Sequence, residues 1–349
     1  KAIRVRIINS RFAFRFMLYS GTDVKRTHSI FSFKNLYFAS SNMSIPITVD
    51  NCTFQFRVSS SADVLPKFQI TNSDQNSSNS LIKFTNCNFS STYSKGQQDS
   101  TGLQFELVGS KLLMENCTFT DLILATYNMF HLTNSSLTIM NSTFTKSYFG
   151  SAGGIINSAG SNVTLEGVLA SENHFEMPAI FIVAQNLAIT TKVNNSNFSA
   201  NFLTENAAFI HIRQRNGVGS IVTEVHETLF ENNTLEENAT CILNEEEGCL
   251  IDSCVFRRNE FTTESREANG AAIRNWAFGI ATVRNCTFEE NVATKGGAIY
   301  SSEAISITDS RFSNNYAFLA GGAIFIGDCT GVTATSTIIN NTYWGNTAF

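Results

Sequence analysis

Charged residues, proline and long apolar runs are all scarce in this sequence. Charged side chains make up 15% of the 349 residues, well below the usual share, and only 3 prolines are present. No run of about 18 apolar residues occurs, so no transmembrane helix is expected. The net charge is only -5 and no basic stripe is available to neutralise phosphates, which argues against nucleic-acid binding.

The side chains of familiar catalytic and metal sites are also sparse. The 5 histidines are scattered singly, although His131 and His211 could share one strand face in a structural role. No Cys-x-x-Cys pair or Gly-x-Ser-x-Gly elbow occurs. A carbohydrate-active enzyme would need clustered carboxylates, yet the one acidic run, Glu245-Glu246-Glu247, is interpreted as a solvated loop. We therefore predict no enzyme activity, no cofactor and no metal site.

The residues that are abundant indicate β-structure. Apolar residues make up 43% of the chain, and 30 of them are phenylalanine. β-Branched residues recur every few positions, and helix-favouring residues seldom form extended runs. This composition predicts an all-β chain.

A short phrase, Asn-Cys-Thr-Phe or a close relative, recurs along the chain. Most intervals are about 24 to 35 residues, the period of solenoid repeats. The copies end at Phe12, Phe38, Phe54, Phe89, Phe119, Phe144, Phe198, Phe230, Phe256, Phe288 and Phe312, with degenerate copies at Leu169 and Ile338. The interval from Phe38 to Phe54 is too short for a coil, so only one of these two fits the period.

Each copy belongs to a longer pattern of strands and turns. An alternating strand precedes the phrase, an Asn often follows its Phe by three residues, and glycine pairs such as Gly296-Gly297 open a further strand. Three short strands and three turns per coil are the arrangement of a parallel β-helix. We predict an all-β, right-handed parallel β-helix of about a dozen coils, as one domain over 1–349. The coils are irregular in 1–110 and more regular in 111–349.

The pattern also predicts which side chains point inward. Alternate residues of a strand share a face, so Cys117 and Phe119 point to the core while Thr118 faces water. Equivalent Phe residues of successive coils then stack about 4.8 Å apart. Turn asparagines are expected to take left-handed conformations and to bond from coil to coil. Glycine pairs allow a sharp corner and a close backbone approach.

The combination of Phe-x-x-Asn with Gly-Gly-Ala-Ile, clearest over 288–300 and 312–325, resembles a known repeat. It is similar to the repeats of chlamydial polymorphic membrane proteins and of related β-helical surface proteins of protists. The resemblance implies surface display and adhesion on a right-handed β-helix. The glycine pairs are missing from most N-terminal coils, and the C-terminal membrane barrel of the bacterial members is not seen.

Eight cysteines and many Asn-x-Ser/Thr triplets favour an oxidising, glycosylating compartment. Equivalent positions on adjacent coils allow the cross-coil disulfides Cys87–Cys117 and Cys254–Cys286, and Cys241–Cys249 could close the acidic loop. Buried free thiols are the alternative. Asn116 and Asn141 share one turn position, where glycans would crowd and an inward Asn ladder would hide both. N-linked glycans are expected mainly at Asn42, Asn76, Asn134, Asn162 and Asn238.

The two ends of the sequence suggest continuation. Aligned with the coil from Asn291 to Phe312, the C-terminus of one copy and the N-terminus of another form a coil in phase, with Gly345 matching Gly296. The expected assembly contacts are Ile3, Val5, Ile7, Phe12, Tyr343, Trp344 and Phe349. Head-to-tail stacking of copies into a fibre is one hypothesis. Flanking coils of a longer β-helix are the other.

These observations predict an extracellular or cell-surface structural glycoprotein, stacked into a β-helical fibre or coat. The alternatives are an adhesin that binds a glycan or protein along the strand faces, and a segment of a longer β-helical surface protein. Exposed aromatic residues in a row along one face would favour binding.

Overall fold

The computed structural model describes residues 5–16, 29–34, 47–58, 67–71, 81–91, 103–125, 127–184, 188–214, 221–262, 268–277, 279–327 and 335–349. The regular structure of these residues is entirely β-strand, arranged as four parallel sheets along one solenoid. The predicted all-β parallel β-helix is thus confirmed. No helix that is long and apolar enough to cross a membrane occurs among these residues.

Each sheet takes one strand from successive coils. The twelve strands of the first sheet are Val5–Ile8, Ile47–Asp50, Leu81–Thr85, Lys111–Glu115, Ser136–Met140, Asn162–Glu166, Ile189–Asn194, Ile221–His226, Glu247–Asp252, Ile280–Arg284, Ile305–Thr308 and Thr337–Ile339. The twelve of the second sheet are Arg11–Phe16, Thr53–Val58, Asn88–Ser91, Thr118–Thr120, Thr143–Thr145, Leu169–Ser171, Asn197–Ser199, Leu229–Glu231, Val255–Arg257, Thr287–Glu289, Arg311–Ser313 and Thr342–Trp344.

The other two sheets complete each coil. The nine strands of the third sheet are Ile123–Leu124, Tyr148–Phe149, His174–Phe175, Phe202–Leu203, Thr234–Leu235, Glu260–Phe261, Val292–Lys295, Tyr316–Ala320 and Thr347–Ala348. The eleven of the fourth sheet are Ser29–Lys34, Lys67–Thr71, Gln104–Val108, Phe130–Thr133, Ile156–Ala159, Ile180–Ala184, Ala208–Gln214, Thr240–Glu245, Ile273–Asn275, Ile299–Ser301 and Ile324–Ile326.

A complete coil therefore has four strands rather than the predicted three. The additional corner lies two residues after the Phe of the phrase, where the chain adopts a left-handed conformation. Glu290, with φ 53°, takes this position after Phe288. One left-handed residue is enough to turn the chain, so the segment that follows the phrase divides into two short strands. The alternation of side chains alone gives no sign of this break.

The phenylalanines of the phrase stack into an inward ladder on the second sheet. Phe256 lies between Phe230 and Phe288, with ring centroids 4.8 and 5.0 Å apart and nearly parallel planes. The described ladder comprises Phe54, Phe89, Phe119 and Phe144, and then Phe198, Phe230, Phe256, Phe288, Phe312 and Tyr343. The predicted stack is confirmed, and Phe54 fits the period; Phe38 lies outside the described residues.

The register differs from the prediction at the two degenerate copies of the phrase. Ala170, not Leu169, takes the ladder position opposite Phe144. Ile338 lies in the first sheet, and Tyr343 continues the ladder. A shift of one residue moves a side chain to the other face of its strand. A copy without its Phe therefore does not show which residue points inward.

Inward asparagines form a second ladder at the corner between the second and third sheets. The Asn291 Nδ2 donates to the backbone oxygen of Phe256 at 2.9 Å and to the Asn315 Oδ1 at 3.0 Å. Its Oδ1 accepts from the backbone N–H and the Nδ2 of Asn259 at 3.2 and 3.0 Å. The ladder comprises Asn173, Asn201, Asn233, Asn259, Asn291, Asn315 and Asn346. The predicted coil-to-coil bonding is confirmed.

The left-handed turns lie beside this inward ladder and not on it. The predicted left-handed asparagines that bond from coil to coil occur at the first residue of the phrase, where the Asn51 Nδ2 donates to the Asn9 Oδ1 at 2.8 Å and the Asn116 Nδ2 to the Asn86 Oδ1 at 3.3 Å. Positive φ occurs one residue before the ladder Asn, as at Glu290 before Asn291. The first residue of the phrase is also left-handed, as at Asn116 (φ 53°) and Asn141 (φ 47°). Both of these asparagines are exposed, because the residue after each of them points inward. Cys117, for example, points inward after Asn116. The prediction that an inward ladder hides them is wrong.

The glycine pairs close a different corner, between the third and fourth sheets. Gly296 and Gly321 have φ of 61° and 68°. A Cβ at Gly297 would lie 2.2 Å from the backbone oxygen of Gly322 in the next coil. The first glycine of each pair thus provides the turn and the second permits the close approach, as predicted.

Candidate binding groove

A row of ring side chains lies on the outer face of the third sheet. Tyr148, His174 and Phe202 occupy the same outward position in three successive coils. Their ring centroids are 5.0 Å apart for Tyr148–His174 and 4.9 Å for His174–Phe202. All three side chains are half-buried. They therefore form a continuous strip of rings along the axis of the solenoid.

Glu176 contacts two of these rings. Its Oε1 accepts a hydrogen bond from the Tyr148 hydroxyl at 2.5 Å and lies 3.8 Å from the His174 Nε2. Burial, and then this hydrogen bond, raise the pKa of Tyr148 to about 12, so the phenol remains protonated at neutral pH. Burial lowers the pKa of His174, which keeps its imidazole neutral at pH 7. The strip of rings therefore carries no positive charge at neutral pH.

A cavity of about 530 Å³ lies along this strip. Its other wall consists of the left-handed residues between the second and third sheets, Asp121, Lys146, Glu172 and Ala200. Ala200 has a small side chain where the other three coils have longer, charged ones, so the wall is lowest beside Phe202. The cavity is a groove parallel to the solenoid axis, with rings on one side and charges on the other. We call it the aromatic groove.

Acidic side chains near the aromatic groove lack the Lys or Arg partners that five described acids on the other sheets have. Among the described residues, the acids that pair with Lys or Arg lie on the first, second and fourth sheets: Glu115, Glu224, Glu231, Glu245 and Asp252. On the third-sheet side, no Lys or Arg of the described chain pairs with Asp121, Glu172, Glu176, Glu205 or Glu236. The charge of Glu205 contributes to the raised pKa of Tyr148. The charge of Glu236 acts against the effect of burial on the pKa of His174. Lys146 is the one cation that lines the groove.

A second set of stacked rings lies on the outer side of the fourth sheet. The ring centroids of Trp276 and Tyr300 are 5.9 Å apart, and those of Tyr300 and Phe325 are 5.5 Å apart. The Arg274 guanidinium lies 4.8 Å from the Trp276 ring centre, and the Lys295 ammonium lies 5.5 Å from that of Phe325. Two of these rings, Trp276 and Phe325, are therefore covered by cations of the chain itself, whereas the described residues form no such pair with the rings of the aromatic groove.

The described residues contain no group of three or more His, Cys, Asp or Glu side chains that could hold a metal ion. His131 and His211 both lie on the outer face of the fourth sheet, on the shared face that the sequence suggested. The His211 Nε2 lies 3.1 Å from the Glu245 Oε2. Burial acts to raise the pKa of Glu245. The hydrogen bond and charge of His211, followed by the charge of Arg213, outweigh this effect and hold the pKa below its usual value.

The acidic run is not the predicted solvated loop. Glu245 ends a strand of the fourth sheet and Glu247 begins one of the first, so the run forms the corner between two sheets. Glu246 is buried there, only 6% exposed. Cys241 and Cys249 lie within those two strands, pointing into the core. The interpretation of Cys241–Cys249 as the closure of an exposed loop is therefore wrong.

The described cysteines are all buried free thiols, the alternative to disulfides. The predicted pairs Cys87–Cys117 and Cys254–Cys286 share their positions in adjacent coils but are not bonded. In-register neighbours lie about 4.8 Å apart, whereas a disulfide needs Cβ atoms about 3.8 Å apart. Each of these four thiols also donates a hydrogen bond to a backbone oxygen. The Cys87 Sγ, for example, donates to the backbone oxygen of Thr85 at 3.2 Å.

We expect these thiols to be unreactive until the protein unfolds. All the described thiols are buried, which keeps reagent away from them. Burial also raises the pKa of Cys249 to about 12 and that of Cys241 well above its usual value, so these two form little thiolate at pH 8. Titration of the native protein with a thiol reagent should label at most Cys329, which lies outside the described residues. In denaturant without reductant all 8 cysteines should react. Six or fewer would show that disulfides are present.

The predicted glycosylation sites are in part accessible. Asn134 and Asn162 are exposed at the two sides of the corner that leads into the first sheet, and Asn238 is half-buried. Asn42 and Asn76 lie outside the described residues. The described residues that line the aromatic groove contain no Asn-x-Ser/Thr triplet. Glycans at Asn134 and Asn162 would thus leave that groove open.

The predicted assembly contacts divide between the ends of the described solenoid. Val5 and Ile7 lie in the first strand of the first sheet, Phe12 lies in the first strand of the second sheet, and Ile3 lies outside the described residues. In the last coil Tyr343 and Trp344 are exposed, and Phe349 is 92% exposed.

The alignment behind the predicted junction is wrong in register. Gly345, with φ 62°, takes the left-handed position two residues after Tyr343 and corresponds to Glu290, not to Gly296. Thr347–Ala348 pairs with the third sheet.

A row of exposed aromatics was the expected sign of a binding face, but its position was not predicted. The signal lies at a fixed offset, four residues after the inward ladder position. Tyr148 follows Phe144, Phe202 follows Phe198, and His174 follows Ala170 in this way. This offset falls in the third-sheet strands, which the sequence pattern did not predict.

No family model matches the chain. A transmembrane domain-containing protein of Dictyostelium discoideum is 25% identical over 279 residues, which cover 76% of this chain and 14% of that relative. Two mutant crystal structures of the periplasmic alginate epimerase AlgG are similar at 13% and 10% identity, with TM-scores of 0.38 and 0.40, over 85% of this chain and 77% of theirs. A Geobacillus virus E2 ORF18 structure is 12% identical over 89% of this chain and 55% of its own, with a TM-score of 0.32. The chain thus spans a small part of its curated relative, and the solved structures carry no argument about its activity.

Proposed function

We propose that this chain is a structural segment of an extracellular β-helical protein, in which the coils form a rod. The observation that carries this proposal is the constant register of the two inward ladders. The Phe ladder continues without a change of register to Tyr343, and the Asn ladder to Asn346. Each coil buries its apolar face on its neighbours, so the arrangement can extend by adding coils of the same kind.

We also propose where this segment lies in the protein it belongs to. Flanking coils of a longer chain are our first candidate for what continues the ladders, and head-to-tail copies are the second. The Dictyostelium relative, of which the match covers 14% and whose name includes a transmembrane domain, supports a long surface-displayed protein. Exposed Asn134 and Asn162 support N-glycosylation in that compartment.

Electron microscopy of the secreted chain tests the rod. Twelve strands stacked about 4.8 Å apart give a particle roughly 50 Å long. Single rods of this length at high concentration are expected, and filaments would instead support head-to-tail stacking. A particle with equal axes would contradict the structural role. Mass spectrometry of the same sample should find glycans at Asn134 and Asn162, and their absence would contradict the glycoprotein proposal.

Adhesion is the second candidate, because the aromatic groove is a row of half-exposed rings along one face. A binding face on a structural rod is compatible with both functions. It would place a ligand site at a defined height along the rod.

A further inference from the structure

We propose that the aromatic groove binds an extended cationic peptide segment, whose lysine or arginine side chains lie against the rings of Tyr148 and Phe202 and the carboxylates of Glu172 and Glu176. This inference goes beyond the structural role and does not depend on it. It concerns one face of the rod and a partner of stated charge.

The carboxylates provide the first argument. Several acids on the first, second and fourth sheets pair with cations of neighbouring coils, such as Glu224 with Lys192 at 2.8 Å and Asp252 with Arg284 at 3.0 Å. Glu172 and Glu176 have no Lys or Arg partner among the described residues. An acidic groove with only Lys146 to offset it attracts cations and repels anionic polymers such as uronate chains.

The rings provide the second argument. Cations prefer the faces of aromatic rings within about 6 Å of the ring centre. Two fourth-sheet rings of this chain already have such partners, Arg274 on Trp276 and Lys295 on Phe325. The rings of the aromatic groove have none within the described chain, so this position is open to a cation from a partner.

The hydrogen bonds provide the third argument, which separates a peptide cation from a neutral sugar. The Tyr148 hydroxyl is already donated to Glu176, so it is not free to donate to a sugar oxygen. His174 lies between the rings of Tyr148 and Phe202, with centroids 5.0 and 4.9 Å away, so its neighbours along the row are both rings of the chain itself. The remaining polar atoms on the rim are mainly carboxylate acceptors, which suit the donors of guanidinium and ammonium groups.

The dimensions suit an extended segment. The groove follows the axis across four coils, from Asp121 to Ala200, and its cavity has a volume of about 530 Å³. An extended chain places alternate side chains on one side, so every second residue of the partner can face the rings. No glycosylation triplet among the lining residues obstructs this approach.

Fluorescence anisotropy with a labelled deca-arginine peptide tests the proposal on the full chain. We expect the double variant Glu172→Gln/Glu176→Gln to bind about tenfold more weakly than the natural chain. Phe202→Leu, which keeps an apolar side chain but removes the ring, should weaken binding about threefold or more. Increasing salt should also weaken binding.

Matched controls distinguish the groove from general attraction to an acidic protein. Glu115→Gln/Glu224→Gln removes the same charge from the first sheet, and Phe181→Leu removes a ring from the outer face of the fourth. Both should bind deca-arginine within about twofold of the natural chain. Cellohexaose, a neutral sugar probe, should not displace the peptide.

Three results would overturn the proposal: unchanged binding by the groove variants, equal losses in the first-sheet control, or displacement by cellohexaose. Circular dichroism confirms that each variant is folded. Rod length in electron microscopy is unaffected by these surface changes, so failure of the groove proposal is distinguishable from failure of the structural one.

Discussion

Replacing Asn291 with leucine is expected to lower the free energy of unfolding of the solenoid by about 2–5 kcal/mol. Leucine has the same branching at Cγ but no polar atoms, so the main loss is one of hydrogen bonds. The Phe256 carbonyl loses the Asn291 Nδ2 donor, and the backbone N–H of Asn259 loses the Oδ1 acceptor. Both groups are buried where water cannot replace the missing partner.

The measurement is hydrogen exchange together with denaturant unfolding. The amide of Asn259 should lose protection first, because its acceptor is the side chain that has been removed. Unfolding of stacked repeats need not be two-state, so the exchange of single amides is the more direct observable. Asn88→Leu is the matched control, since Asn88 is exposed on the same sheet. It should change stability by less than about 0.5 kcal/mol. An unchanged Asn259 amide would contradict the role of the ladder.

The inward face of the fold was predictable from the sequence because its positions are constrained in every coil. An inward Phe such as Phe288 fixes the phase of its strand, and Asn291 marks the next inward polar position. Glycine pairs marked a corner, since backbone approach of the kind seen at Gly297 excludes a side chain. Where the marker is replaced, as at Ala170, the phase was assigned one residue too early.

The candidate site was not predictable because outward positions obey no such constraint. Outward residues in the groove row change from Ile123 to Tyr148 to His174 along the third sheet, and only the register shows that they are neighbours. The extra corner before them depends on a single left-handed residue, which can be Glu, Lys or Ala here. The cysteine positions were predictable, but their chemistry depends on Cβ separation and on the carbonyls that accept from their thiols.

Replacing Phe256 with alanine is expected to cost about 3–5 kcal/mol of stability, because the change opens a cavity in the middle of a stack. The ring of Phe256 is fully buried between Phe230 and Phe288, which lose their partner on one side. Side chains in the solenoid are held by backbone pairing on both neighbouring coils, so they cannot collapse far into the space.

The natural interruption of the ladder at Ala170 shows what compensation requires. There Phe209 of the fourth sheet packs on Phe198, with ring centroids 5.0 Å apart, and on Phe175, at 6.0 Å. The described residues place no extra ring of this kind beside Phe256. Phe256→Ala should therefore destabilise the solenoid more than the natural Ala170 does. Chemical denaturation of both variants measures the difference in stability. The control is Phe181→Ala, which removes an outward ring. Equal losses in both variants would contradict the ladder as the main source of stability, because an outward ring that is only half-buried has less apolar area to lose.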